Sequence, residues 1–172
     1  MIICPDCKAE NISGAELCES CGQDLRNLAL PKAETEFEEH LMTDRLGGIG
    51  AEEALSVAPG DPVTVAVHFM RQHGAECVLV TDGDGIQGIL TERDVLMKAA
   101  GDKIDLSALA AKDIMTRDPV ILREEDTLAV ALHKMSIGGF RHLPFVAKGR
   151  KTLLVSIQDV FRHVCSYIRS GR

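Results

Sequence analysis

The chain has 172 residues, of which 45% are hydrophobic, and it contains no Trp, one Tyr and five Phe. This length and composition predict one or two small domains built around an aliphatic core. The segment Met1–Pro5 lacks the basic flank and apolar run of a secretory signal. Since the apolar stretches are also too short to span a bilayer, we expect a cytoplasmic protein with no membrane partner.

The net charge of −7 arises entirely from the N-terminal quarter of the chain. Residues 1–44 hold three basic and ten acidic residues, whereas the remainder holds 16 of each kind. A concentration of negative charge repels the phosphate backbone of a nucleic acid. The charge distribution therefore disfavours nucleic acid as a partner.

Two Cys-x-x-Cys pairs lie close to the N-terminus, and their members are Cys4, Cys7, Cys18 and Cys21. Each pair places two thiolates on one tight turn, and two such turns form the four-sulfur cage that Zn²⁺ favours. The intervening residues Lys8–Leu17 suffice for one hairpin, with its turn at Asn11–Gly14. The alternative, two disulfides or scattered free thiols, is disfavoured in a reducing cytoplasm. Four thiolates leave no position for a catalytic water, so we predict structural zinc.

The Cys-rich segment resembles the small zinc-ribbon modules. The second cysteine pair is followed by the expected Gly22, whereas the first is followed by Lys8, a mild departure from the ribbon pattern. A segment this small has little core of its own, so the metal is expected to supply most of its folding energy.

An acidic connector follows the ribbon. Pro31 interrupts the chain, and Ala33–Leu41 is predicted to be a helix with a solvated, charged face. The glycine-rich stretch Gly47–Gly50 is predicted to be a flexible loop.

From Val57 onward the chain repeats itself with an offset of 65 residues, which is the strongest indication of its fold. Apolar residues fall on one face of a predicted helix in each copy: Val63, Ala66, Val67 and Met70 in the first, and Leu128, Ala131, Leu132 and Met135 in the second. Asp61 is expected to cap the first helix, with Pro62 as its first residue, and Asp126 stands at the equivalent position. Gly74 and Gly139 are expected to end the two helices.

A predicted β-hairpin and a second helix complete each copy, giving a β-α-β-β-α unit that occurs twice. The hairpin strands are Cys77–Val80 with Ile86–Leu90, and Leu143–Val146 with Thr152–Ser156; the closing helices are Glu92–Ala100 and Ile157–Arg169. The residues Thr81–Gly85 are expected to form the first hairpin turn.

A Ser/Thr-x-x-Asp pattern begins the closing helix of each copy, as Thr91 with Asp94 and as Ser156 with Asp159. Taken alone, such a pair is more often a helix N-terminal cap than a ligand contact. Two copies in equivalent positions are compatible with both roles, and we favour ligand binding.

Several of these stretches together resemble a tandem pair of CBS domains, known as a Bateman module, over about residues 46–172. The likeness rests on Ile114–Val120, Gly139–Val146, Gly88–Val95 and the two helix faces. The first copy diverges at Ala54–Val57, where the Met-Thr signature is missing.

The resemblances imply an α+β fold, in which two CBS repeats form a pseudo-two-fold pair after a small Cys4 zinc ribbon. The expected division is residues 1–26 for the zinc ribbon, 27–45 for an acidic linker or helix, 46–104 for the first CBS domain and 105–172 for the second.

The CBS resemblance also implies a regulatory, non-catalytic fold that binds adenosine-containing ligands in clefts between the repeats. The Ser/Thr-x-x-Asp turn would hold the ribose, since a carboxylate can accept hydrogen bonds from both ribose hydroxyls, and the adjacent helix N-terminus favours phosphate. In one cleft Thr91 and Asp94 would hold ribose, Arg93 would lie near the phosphates, and Thr116 to Val120 would face the base. In the other cleft Ser156 and Asp159 would hold ribose, Arg141 and His142 would contact phosphate, and Ser56 and Val57 would face the base.

Two departures leave open whether one cleft or both bind a ligand. Glu76 and Cys77 stand where the second repeat has Arg141 and His142, and Leu153 replaces the equivalent of Gly88. His142 also fits an ordinary surface or interface histidine.

We therefore expect a cytoplasmic ligand sensor rather than an enzyme. Its CBS pair would bind AMP, ADP, ATP or S-adenosylmethionine, form a homodimer through its helices, and report to a protein partner through the zinc ribbon. The alternatives are a nucleic-acid or transcription-linked adaptor that reads through the ribbon, and a CBS dimerisation scaffold without a ligand.

Overall fold

A computed structural model of the chain describes residues 2–12, 15–25, 33, 35–98, 105–149 and 151–168. The chain forms two compact units, Met1–Glu36 and Phe37–Arg172. Within the described residues, every helix is too short or too polar to span a lipid bilayer.

The first unit consists of short hairpins that enclose the cysteine pairs. Strand β1 (Ile2–Ile3) pairs antiparallel with β2 (Glu10–Asn11), and an isolated bridge joins Leu17 to Asp24. The hairpin turn expected at Asn11–Gly14 is wrong at Asn11, which lies in a strand; Ser13 and Gly14 fall outside the described residues. The two hairpins instead turn at the Cys-x-x-Cys knuckles, where the N–H groups of Lys8 and Gly22 donate to the carbonyls of Cys4 and Cys18 at 3.0 and 2.8 Å.

The second unit contains the two β-α-β-β-α repeats, which confirms the predicted α+β architecture. Its leading elements are α1 (Glu36–Thr43), a 3₁₀ turn (Leu46–Gly48) and β3 (Glu52–Glu53). The first repeat then comprises β4 (Ser56–Val57), α2 (Val63–His73), β5 (Cys77–Asp82), β6 (Gly85–Thr91) and α3 (Glu92–Lys98). The second follows α4 (Ala111–Ile114) and β7 (Thr116–Arg117), and comprises β8 (Leu122–Arg123), α5 (Leu128–Gly138), β9 (His142–Val146), β10 (Thr152–Ser156) and α6 (Ile157–Ile168). Ala99, Ala100 and Arg169, expected in the closing helices, lie outside the described residues.

Each repeat completes its sheet with the strand that precedes the other repeat. One sheet has the order β4-β5-β6-β7, and the other has the order β3-β10-β9-β8. Strand β7 leads into the second repeat but pairs with β6 of the first, and β3 leads into the first repeat but pairs with β10 of the second. The two repeats are therefore interlocked.

Backbone hydrogen bonds repeat this exchange at equivalent positions. The N–H of Leu46 donates to the carbonyl of Asp126 at 3.0 Å, and the N–H of Ala111 donates to that of Asp61 at 2.8 Å. Leu46 is buried in the core of the second repeat, and Ala111 is buried in the core of the first. The leading segments near residues 46 and 105 thus lie with the opposite repeat from the one that the expected division assigned them to.

The stretch expected to be a flexible loop is tied to the second repeat. Gly47 belongs to the 3₁₀ turn, and its N–H donates to the carbonyl of Glu124 at 3.0 Å. The predicted acidic helix is present as α1, and its Leu41 packs against the core of the second repeat. These contacts follow from the burial of Leu46, which requires the backbone beside it to find internal partners.

The predicted helix ends are confirmed at the C-terminal side and wrong at the N-terminal side. Gly74 and Gly139 adopt left-handed conformations, with φ of 64° and 66°, after α2 and α5. The expected cap Asp61 instead accepts a hydrogen bond from the N–H of Ala58 at 2.8 Å, and α2 begins at Val63. Asp126 makes the same three-residue turn in the second repeat by accepting from the N–H of Arg123 at 2.7 Å.

Aliphatic side chains form a separate core beneath each sheet. The first core contains Val57, Val63, Ala66, Met70, Val78, Val80, Leu90, Ala111 and Ile114, and the second contains Leu46, Leu122, Leu128, Ala131, Met135, Leu143, Phe145, Val155, Val160 and Val164. The first hairpin turn is tighter than expected, because Asp82 already pairs with Gly85.

Candidate functional site

The Ser/Thr-x-x-Asp pairs form reciprocal helix caps in both repeats. The N–H and hydroxyl of Thr91 donate to Asp94 Oδ2 at 3.0 and 2.6 Å, and the N–H of Asp94 donates to Thr91 Oγ1 at 3.1 Å. Ser156 and Asp159 make the same three contacts at 2.8, 2.6 and 3.2 Å. The capping geometry satisfies backbone donors at the start of α3 and α6 and leaves the Oδ1 atom of each aspartate for other partners.

A large cavity of about 780 Å³ opens beside the first of these caps and is lined by both repeats. The first repeat supplies the end of β6 and one face of α3, including Thr91, Arg93 and Asp94. The rest of the lining comes from Glu76 just before β5, from β7 and the loop after it, with Thr116 and Val120, and from the end of α5 through the start of β9. Ligand pockets in proteins are commonly about 300–1,000 Å³, so the cavity is large enough for a nucleotide.

Asp94 already has protein partners at its second oxygen. Lys98 Nζ lies 2.7 Å from Asp94 Oδ1, and the hydroxyl of Thr116 donates to the same atom at 3.3 Å. Burial raises the pKa of Asp94, but the hydrogen bonds from Lys98 and Thr91 outweigh it and hold the pKa below its usual range. Thr116, expected to face a base, therefore meets the carboxylate that is expected to hold the ribose.

Arg141 and His142, which were expected beside Asp159, also line the Asp94 cavity. His142 pairs with Ser156 across β9 and β10, so these residues adjoin both caps. His142 Nε2 lies 3.0 Å from Glu76 Oε2, so a residue at the start of β9 contacts one just before β5 across the two repeats. In the alignment of the two repeats, Glu76 and Arg141 occupy equivalent positions, so each was expected in a different cleft. The pseudo-two-fold arrangement instead brings these two positions into one cavity.

The charged groups that line the cavity are close to balanced. Its cationic side chains are Arg93, Arg117 and Arg141, and its carboxylates are Glu76, Glu92, Asp94 and Asp118. The sequence prediction placed Glu76 in this cleft without counting it as a ligand contact, and it missed Lys98. The spacing of Lys98 four residues after Asp94 on a predicted helix was a signal that could have identified their contact.

Gly88 allows β7 to approach closely enough to complete the site. A Cβ atom at residue 88 would lie 2.5 Å from Met115 Sδ and 2.8 Å from the carbonyl oxygen of Thr116. The equivalent residue of the second repeat is Leu153, whose partner strand is β3. The glycine is thus present in the repeat whose partner strand supplies Thr116, and it is replaced by leucine in the other repeat.

The second expected site has a different environment. Asp159 Oδ1 accepts from Arg162 at 2.8 Å, and neither Ser156 nor Asp159 lines the large cavity. Its partner strand β3 carries Glu52 where β7 carries Thr116. Ser56 is exposed in β4 outside the large cavity, and the Val57 side chain is buried in the first core, so it is not available to face a base.

The four N-terminal cysteines converge as their spacing predicts. Their Sγ atoms all lie within 4.8 Å of one another, with Cys4 to Cys21 at 3.6 Å and Cys7 to Cys18 at 3.5 Å. A tetrahedral site with Zn–S bonds of about 2.3 Å needs sulfurs separated by about 3.8 Å, so this donor set fits a zinc ion. Lys8, at the position where Gly22 follows the second pair, has a φ of 62° and so adopts the same left-handed conformation.

Asn11 supports the cysteine cluster from inside the first unit. It is buried, its Nδ2 group donates to Cys18 Sγ at 3.6 Å, and its Oδ1 accepts from the N–H of Glu19 at 3.0 Å. The side chain thereby joins strand β2 to the second cysteine pair, a contact that the sequence prediction did not include.

The CBS-domain family profile matches residues 40–101 and 111–166, which is more than half of the chain. The chain belongs to the CBS-domain family. CBS domains are generally regulatory, ligand-sensing modules rather than catalytic ones, and the paired matches agree with the two interlocked repeats.

Known CBS proteins resemble the second unit in sequence and fold. The CBS domain-containing protein CBSCBSPB3 of Arabidopsis thaliana is 38% identical over 116 residues, which is 67% of this chain and 21% of the relative. The chain spans about a fifth of the length of the curated relatives that it matches first.

Two solved CBS structures extend the comparison. A CBS protein of Agrobacterium tumefaciens is 28% identical with a TM-score of 0.62, and the match covers 69% of this chain and 98% of that one. The CBS pair of MJ0100, solved with 5′-methylthioadenosine and S-adenosyl-L-methionine, is 21% identical with a TM-score of 0.59 over the same shares of the two chains. The likeness to MJ0100 shows a shared fold.

Proposed function

We propose that this CBS pair senses an adenine nucleotide or a related adenosyl compound, bound in the cavity beside Asp94. The proposal rests on one observation. Thr91, Asp94 and Thr116 are joined by hydrogen bonds at one wall of a cavity that is lined by both repeats. A ligand in that position would contact both repeats at once and could bias their arrangement.

The chemistry of the lining supports an adenosyl ligand. The Asp94 carboxylate can accept hydrogen bonds from ribose hydroxyls, and apolar side chains such as Ile89 and Val120 offer surface for a base. Arg93 and Arg141 can pair with a phosphate or carboxylate of the ligand. The adenosyl ligands of the MJ0100 pair, which has the same fold, are consistent with this class.

We infer one binding site per chain, at Asp94 rather than Asp159. The strand beside Asp159 carries Glu52 and Glu53 in place of Thr116 and Arg117, which lie on the strand beside Asp94. Carboxylates near a nucleotide phosphate would oppose binding by like-charge repulsion.

Isothermal titration calorimetry against AMP, ADP, ATP and S-adenosylmethionine tests the proposal. Asp94→Ala and Asp159→Ala form a matched pair, because each removes the same helix cap from one repeat. We expect at least one ligand to bind the unaltered protein with a stoichiometry of one, to be lost in Asp94→Ala and to be retained in Asp159→Ala. Failure of every ligand would leave a dimerisation scaffold as the better description. Equal binding by both variants would contradict the placement of the ligand at Asp94.

We propose that Cys4, Cys7, Cys18 and Cys21 hold a structural zinc ion. The geometry of the four sulfurs suits Zn²⁺, and four thiolates would close its coordination shell. Among the described residues of the first unit, the buried cluster is small: Cys4, Cys18 and Leu25, with Ala9 and Ala15 packed against it. Metal binding would therefore supply much of its folding energy.

We propose that the CBS helices form a homodimer and that the zinc-binding unit contacts a protein partner. Large apolar side chains are exposed on several helices, including Met97 of α3, Ile137 of α5 and Phe161 of α6. Such side chains, when clustered, mark association surfaces. Sedimentation equilibrium should give twice the chain mass, and Phe161→Asp together with Ile137→Asp should halve it without changing the circular dichroism spectrum.

A further inference from the structure

The carboxylate of Asp94 is fully used by donors of the chain itself. Its Oδ2 accepts from the N–H and the hydroxyl of Thr91, and its Oδ1 accepts from Lys98 and Thr116. An ionised carboxylate has about four lone-pair positions, and these four donors occupy them. Ribose hydroxyls can therefore reach Asp94 only by replacing a protein donor.

The donors at the two oxygens differ in how readily they can leave. Thr91 is fixed by its backbone at the start of α3, and its loss would leave the helix end uncapped. Lys98 reaches Asp94 through a flexible side chain that is 44% exposed, and its ammonium also donates to the carbonyl of Ile114 at 2.9 Å. A lysine released from Asp94 would keep that second partner and could also be hydrated.

We propose that Lys98 occupies the ribose position of Asp94 as an internal competitor, and that ligand hydroxyls bind by displacing its ammonium from Oδ1. The inference rests on the proposed function, because it concerns the same cavity. It assigns Lys98 a role in setting affinity and in discriminating ligands by their ribose hydroxyls. A half-exposed ion pair is worth little, so the competition lowers affinity without abolishing binding.

Removal of a competitor should raise the affinity for the ligand, whereas removal of a ligand contact should lower it. When Lys98 is removed, the Asp94 carboxylate loses a partner and becomes a better acceptor for ribose hydroxyls. Lys98→Met should therefore bind adenosine about two- to fivefold more tightly, the range expected for loss of an exposed ion pair. A ligand without those hydroxyls gains nothing, so 2′,3′-dideoxyadenosine should bind Lys98→Met and the unaltered protein equally.

The experiment is calorimetric titration of the full chain with adenosine, AMP and 2′,3′-dideoxyadenosine. Lys112→Met on α4 is the matched control, since Lys112 is exposed and lies outside the cavity. Lys98→Gln serves as a second variant that retains a polar side chain, and thermal unfolding confirms that each variant is folded. In an NMR titration the pKa of the Asp94 carboxyl should rise in both Lys98 variants, because Lys98 lowers it in the unaltered protein.

The outcomes separate the two proposals. Tighter binding of adenosine by both Lys98 variants, with no gain for the dideoxy ligand or for Lys112→Met, supports the competition. Unchanged or weaker adenosine binding by folded Lys98 variants overturns it and leaves the adenosyl-sensing proposal standing. If the unaltered protein remains folded but binds none of adenosine, AMP, ADP, ATP and S-adenosylmethionine, the sensing proposal fails and the competition fails with it.

Discussion

Gly88 and Met115 lie so close that a Cβ atom at residue 88 would be only 2.5 Å from Met115 Sδ. The same atom would lie 2.8 Å from the carbonyl oxygen of Thr116. Residue 88 pairs with Arg117 across the β6–β7 ladder, so the missing side chain sets the approach of the whole strand. This close approach allows Thr116 to reach Asp94. The absence of a side chain at Gly88 is therefore one determinant of the geometry of the cavity.

Gly88→Ala is expected to destabilise the second unit and to separate Thr116 from Asp94. The carbonyl of Thr116 belongs to the backbone, so relief of the contact requires movement of β7 and should cost about 1–3 kcal/mol of unfolding free energy. Chemical denaturation measures this cost. Gly60→Ala is the control, since a Cβ there meets nothing within 4 Å. Equal stability of the two variants would contradict the close approach.

The repeats could be predicted from the sequence, but their interlocking could not. The 65-residue offset, the apolar helix faces and the stop residues Gly74 and Gly139 are local patterns, and each indicates its own element. The pairing of β3 with β10 joins residues about 100 positions apart, and the two-residue strand Glu52–Glu53 has no apolar alternation that could indicate a partner. Its location is determined by tertiary contacts of Leu46, which local patterns do not report.

Leu46→Ala should destabilise the second repeat although the residue precedes the first. Leu46 is fully buried among Leu128, Phe145 and other side chains of the second core, and removal of a buried Leu side chain costs about 2–5 kcal/mol. Hydrogen exchange followed by mass spectrometry should show the largest loss of protection in α5 and β9.

Leu96→Ala on α3 is the control for the Leu46 prediction, because this leucine is 66% exposed and should change stability very little. Loss of protection confined to the first repeat in Leu46→Ala would contradict the exchanged packing.

Removal of metal should unfold the first unit and spare the second. Chelation, or the substitution Cys7→Ser, would remove the ion that is expected to stabilise the first unit in place of a large hydrophobic core. The second unit contains hydrophobic cores of its own. Elemental analysis should give one zinc ion per chain before chelation. After it, limited proteolysis should cleave within residues 2–25 while the thermal transition of the CBS pair is retained.

Cys165→Ser provides the matched control for the metal prediction, because Cys165 is a free cysteine of the second unit. It should keep its zinc and its protease resistance. A zinc content unchanged by Cys7→Ser would argue against the four-sulfur site.

Those parts of the candidate sites that consist of closely spaced residues with a defined chemistry could be predicted from the sequence. The capping residues Thr91 and Asp94 and the four cysteines are short-range patterns with a defined geometry. The lining of the Asp94 cavity by Arg141 and His142 could not be predicted from the sequence, because it depends on how the two repeats face each other. Only the folded pair brings His142 to Glu76, since the two residues come from different repeats.

Asp44 should make the docking of α1 sensitive to acid. His163 Nε2 lies 2.7 Å and His40 Nδ1 lies 3.2 Å from Asp44 Oδ2, and the ring of Tyr167 stacks on His40 at 3.5 Å. Burial raises the pKa of Asp44, but the hydrogen bonds from His163 and His40, with their positive charge, lower it below its ordinary value. The ionised form is therefore favoured in the folded state.

A folded-state pKa below the unfolded value means that Asp44 stabilises the fold above the usual aspartate pKa of about 3.9, and that this contribution is lost as the pH falls through the folded value. Asp44→Asn should lower the unfolding free energy at pH 7 by about 1–2 kcal/mol, since the amide replaces a charged acceptor. Urea denaturation between pH 3 and pH 7 should show the difference from the unaltered protein narrowing as the pH falls below about 4. Asp84→Asn in the exposed first hairpin turn should show no such pH-dependent difference. A deficit in Asp44→Asn that stays constant across the range would assign the effect to packing and not to the charge.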